Sequence, residues 1–150
     1  MIAVNPFSLR TVFLAKHAQH VVLIHFPIAL FMTGVGFDLF SQGKRGSQFA
    51  SAAYLNLWLA ALSVVPVAVT GLLAWQFVLE GQRLRGLLLW HLIAASTAAF
   101  LVITSWWVHW RARKSEPLVL PGYRIPLELL GVGVVALTAH LGGFLSGINV

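Results

Sequence analysis

Four long apolar runs, parted by short polar stretches, dominate this chain and leave it few folds to choose from. They cover roughly residues 20–41, 50–79, 87–110 and 126–148, and a helix of about 20 residues is enough to cross a bilayer. In lipid the backbone must satisfy its own hydrogen bonds, so such runs are expected to be helices. Composition agrees. Charged residues make up 9% of the 150, against about 25% in soluble domains, and mean hydropathy is +0.85. The expected fold is all-α: an integral membrane four-helix bundle forming one domain over residues 1–150, with both termini on the same side. That side is termed A, the other side B.

The chain has no cysteine, which excludes disulfides, thiolate zinc sites, cysteine-held iron–sulfur clusters and thioether-attached haem. Its net charge of +6 resides in the polar stretches. In a membrane protein such charge reports topology and contact with anionic lipid, and nothing points to nucleic acid. Arg10 and Lys16 precede a long span with no small-residue cleavage pattern, so no cleavable signal peptide is expected. Residues 1–18 are expected to form either a short interfacial helix or a partly ordered tail.

Pro27 and Pro66 should bend the first and second spans. Asn56, Ser63 and Thr70 share one face of the second and should bond between helices. Trp106, Trp107 and Trp110, followed by Arg111, Arg113 and Lys114, read as an aromatic belt with a charged stop. His109 falls in that belt and reads as interfacial, not as a ligand. Glu128 falls where a helix dipole favours negative charge. Asp38, Glu80, Glu116 and Glu128 all lie at span ends or in loops, so no carboxylate pair of the kind a soluble-type enzyme uses is expected. Side A carries Arg10, Lys16, Arg83 and Arg85; side B carries Lys44, Arg45, Arg111, Arg113, Lys114 and Arg124. The excess of basic residues on side B is expected to make that side cytoplasmic, with both termini on the opposite side.

Imidazoles are costly at membrane depth and usually have a task there. His25, His91 and His140 lie roughly 8, 6 and 12 Å from the side A ends of their spans, at about 1.5 Å per residue. His20 lies just outside them, and His17 beyond the span. His140 sits in a stripe of small residues that includes Gly133, Ala136, Gly143 and Gly147; Ala94, Ala95 and Ala98 follow His91; Ala29, Met32 and Gly36 follow His25. Small stripes either let helices pack closely or leave room for a flat cofactor. A haem b with two imidazole axial ligands, His25 or His91 with His140, fits this layout, with Ala136 and Gly143 lining it and His20 near a propionate or at a second haem. A quinone pocket, a bacteriochlorophyll ligand, a transition-metal site, or interhelical hydrogen bonding with no metal are the alternatives.

The segment His20-Val-Val-Leu-Ile-His25-Phe26-Pro27-Ile28-Ala29-Leu30 resembles the opening of a family of bacterial four-helix membrane proteins, the domain of unknown function twenty-two thirty-one. The resemblance extends to His91 early in the third span and to His140, Gly142, Gly143 and Gly147 in the last. Val21 stands where the family has proline, and Ala74-Trp75-Gln76 where it has an acidic residue. Some members are fused or adjacent to cytochrome c-like modules, so the resemblance implies electron transfer, and it implies a bacterial inner (cytoplasmic) membrane with both termini periplasmic. The expected function is a cytochrome-b-like, non-catalytic subunit carrying electrons between quinone and a partner such as a cytochrome c. The alternative is a small structural or pigment-binding accessory subunit of a larger respiratory or photosynthetic membrane complex.

Overall fold

A computed structural model describes residues 18–41, 48–77, 79–115 and 119–147. Its helices are α1 (Ala18–Leu23), α2 (His25–Phe40), α3 (Gln48–Phe77), α4 (Gly86–Arg113) and α5 (Arg124–Leu145), with no strand among the described residues. The expected N-terminal interfacial helix and His17 lie outside the described residues. Four helical stretches, the first running Gln19–Phe40 across α1 and α2, are long and apolar enough to cross a membrane.

The junction of α1 and α2 follows from Pro27. Proline lacks an N–H and its ring crowds the carbonyl four residues earlier, which here is that of Leu23. The helix breaks at Ile24, next to that carbonyl, and the Ile28 N–H reaches the Ile24 carbonyl at a long 3.4 Å. Pro66 lies inside an unbroken α3. Ser63 and Thr70 return their hydroxyls to carbonyls of their own helix, and Asn56 likewise donates to the Ala52 carbonyl. His20 Nδ1 also lies 3.2 Å from Thr70 Oγ1, a link between the first two spans. The turn between α3 and α4 uses positive φ at Glu80 and Gly81, and Trp75 Nε1 donates to the Gln82 carbonyl across it.

Packing is closest within two pairs, α2 on α3 and α4 on α5. The core joins them through Phe31, Val35, Leu57, Ala60, Ala98, Val102 and Val135. Phe31 is the bolt between the pairs. A Cβ added at Gly131 would stand 2.7 Å from Phe31 Cζ, so only glycine lets the ring lie against α5. Burial is concentrated towards side B: α2 is buried from Phe31 to Asp38, and α5 from Glu128 to Val135. Val65, Leu72, Ile93, Phe100 and Leu130 are exposed around the outside, where a spanning bundle meets lipid.

Candidate functional site

The faces that carry the core end, on side B, in ionisable groups. On α2, Asp38 follows Phe31 by seven residues, two helical turns, and is fully buried. On α4, His109 follows Ser105 by one turn, and both are buried. On α5, Arg124 and Glu128 are also one turn apart, and Glu128 is fully buried. Three spans therefore place four such groups in one layer.

Two contacts organise the layer. Arg124 Nε donates to Asp38 Oδ2 at 2.8 Å, with 12% and 1% of the two side chains exposed. His109 Nε2 lies 2.8 Å from Glu128 Oε1, with 4% and 0% exposed. Ligand atoms of Asp38, His109 and Glu128 all lie within 4.8 Å of one another. The Ser41 hydroxyl donates to the Asp38 carbonyl at 2.8 Å and stands 3.4 Å from Asp38 Oδ1.

The layer is not saturated. Glu128 Oε2 and Ser105 Oγ are buried with no hydrogen-bond partner among the described residues. Ser105 lies between His109, which meets Glu128, and Leu101, which meets Gly131, so it faces the same level of the α4–α5 seam. A buried carboxylate oxygen without a donor costs free energy comparable to a lost hydrogen bond, at least about 1–3 kcal/mol. Chemically, two carboxylates and one imidazole form a hard, mixed oxygen and nitrogen donor set. First-row divalent cations take such donors at about 2.0–2.2 Å. The same four groups, with His109 protonated, also make two balanced ion pairs that clasp α2, α4 and α5 together.

The histidines expected at the site are placed differently. His91 lies on the packed face of α4, with Cε1 3.2 Å from where a Cβ on Gly142 would stand, and its Nδ1 is buried beside the Thr138 backbone. His25 precedes Phe31 by six residues, roughly 120° around the helix at about 3.6 residues per turn, and is exposed, with Nδ1 2.7 Å from the Val21 carbonyl. With Phe26, Ala29 and Leu30 it lines an open, shallow apolar recess. His140 follows Val135 by five residues, roughly 140° around, and is exposed, set edge-on to Phe144 at 4.9 Å. Ala136 is exposed beside it, Gly143 is half-buried, and nothing lies within 4 Å of a Cβ on Gly133. His25 and His140 thus occupy outward faces, off the packed face that carries His91. The structure does not set two of the three imidazoles face to face inside the bundle, and these residues do not fit a haem enclosed there.

His109, expected to be interfacial and no ligand, is instead buried against Glu128, and Asp38 and Glu128, expected only at span ends, are fully buried in the same layer with Arg124, expected only as a side B charge. The signal was present in their spacing: Asp38 continues the Phe31 face, and His109 continues the Ala98, Val102 and Ser105 face.

A family model described as predicted membrane protein (DUF2231) matches residues 16–147. No curated protein and no solved structure matches the chain.

Proposed function

We propose that this chain, which belongs to the DUF2231 family of predicted membrane proteins, binds a divalent transition-metal cation through Asp38, His109 and Glu128 at the side B end of its spans. One observation carries the reading: three ligand-bearing side chains from three spans are buried together, and one oxygen of Glu128 is left without a partner among the described residues. Ionisable groups buried among spanning helices mark functional sites by default. One imidazole with two carboxylates suits zinc, ferrous iron or manganese, and without cysteine the chain offers no thiolate to draw cuprous copper. With side B facing the cytoplasm, in keeping with its extra basic residues, the site lies at the cytoplasmic end of its spans in a bacterial inner membrane.

The test is a titration of chelator-stripped protein in mild detergent with zinc and manganese. One equivalent bound by the wild type, and affinity at least tenfold weaker in His109→Ala and Glu128→Gln, is the expected result. A folded wild-type protein that takes up neither metal would rule the reading out.

The outward imidazoles favour a second reading. His25 and His140 are exposed, on faces that no helix among the described residues covers. Such faces suit partner helices, or a tetrapyrrole shared between subunits, in an accessory or electron-carrying subunit of a larger complex. A haem b or bacteriochlorophyll spectrum from the complex isolated in native lipid, lost in His140→Ala, supports that role. A colourless lone monomer removes it.

A further inference from the structure

Arg124 is oddly placed for a residue that stabilises a helix. It is the first residue of α5, where the helix dipole disfavours a cation, and no side chain caps that helix. Its guanidinium is turned instead onto Asp38 Oδ2. Asp38 is buried, and the contact to Arg124 is the ion pair found for it among the described residues. Arginine stays charged at any physiological pH. It therefore offsets one of the two carboxylate charges that an incoming cation would meet.

The two oxygens of Asp38 are unequally engaged. Oδ2 accepts the short bond from Arg124, whereas Oδ1 has only the 3.4 Å contact to the Ser41 hydroxyl, whose proton is directed to the Asp38 carbonyl at 2.8 Å. Oδ1 is thus the oxygen open to a cation while Oδ2 stays on Arg124.

We infer that Arg124 is a built-in counter-cation of the Asp38, His109 and Glu128 site, holding it together when empty and weakening its grip when filled. The inference rests on the metal reading and adds what regulates the affinity. The site would then exchange its ion readily.

The experiment compares wild type, Arg124→Gln and Arg124→Lys in the same detergent by zinc titration and thermal unfolding. Arg124→Gln is expected to bind at least tenfold tighter than wild type, to melt several degrees lower when stripped, and to regain that loss when loaded. Arg124→Lys keeps the charge and should bind within about threefold of wild type. Equal or weaker binding by a folded Arg124→Gln protein overturns the inference and leaves the metal reading standing. Where neither wild type nor Arg124→Gln takes up metal, the metal reading fails, and the melting of stripped Asp38→Asn/Arg124→Gln decides what is left. Suppression of the single-variant loss upholds Arg124 as the counter-charge of Asp38, and additive losses overturn it.

Discussion

At the residue scale, the side B layer shows how few groups a buried charge site needs. Asp38 and Glu128 are fully buried, and an isolated carboxylate at such a place would carry a penalty of several kcal/mol. Each is held by one partner at 2.8 Å, Arg124 or His109. Ser105 differs, since its buried hydroxyl has no partner among the described residues. If that hydroxyl only fills space, Ser105→Ala should leave stability unchanged or raise it by about 1–3 kcal/mol, because an unsatisfied group is removed. Chemical or thermal unfolding in detergent reads the difference, and a clear loss would show that Ser105 supports the site. The residue scale is also where the sequence was least legible. Ionisable residues near span ends normally snorkel or meet headgroups, so position alone assigned Asp38, His109 and Glu128 to the surface. Only the faces they share with Phe31, Val102 and Gly131 reveal that they point inward.

At the element scale, glycine decides which helix faces close. Gly131 and Gly133 are two residues apart on α5, yet the first faces the Phe31 ring and the second has nothing within 4 Å. Gly131→Leu should therefore overpack the joint between α2 and α5, costing at least about 1–3 kcal/mol, and should weaken metal binding without touching a ligand. Gly133→Leu should leave monomer stability within about 0.5 kcal/mol of wild type. Equal effects at the two sites would contradict the packing described. The spans themselves were legible, because long apolar runs have no other stable form in lipid. The Pro27 break was legible as well, since it follows from one missing donor. Which stripe faces inward was not. The small-residue stripe of α5 that contains Ala136 and His140 looks like a packing face in sequence, yet the face that packs is that of Glu128, Gly131 and Val135. Four helices of nearly uniform hydrophobicity carry no polar side to mark the exterior, so periodicity could not decide it.

At the scale of the whole molecule, two helix pairs are bolted by Phe31 and by the charged layer on side B, while the histidines expected to bind a cofactor lie towards side A. The arrangement puts the tightest packing and the charged site at one end. Because the chain lacks cysteine, single cysteines at Arg83 and Arg113 can report its orientation. An impermeant maleimide applied to intact cells should label the first and spare the second; the reverse pattern would put the site at the outer face. Elemental analysis of protein purified from metal-replete cells, in buffer supplemented with the metal and then desalted, decides whether Asp38, His109 and Glu128 form one cation site. Close to one zinc or manganese per chain is expected, lost in His109→Ala while the protein remains folded. Metal-free wild-type protein that also binds none on titration would rule the site out and leave the four groups as a clasp between helices.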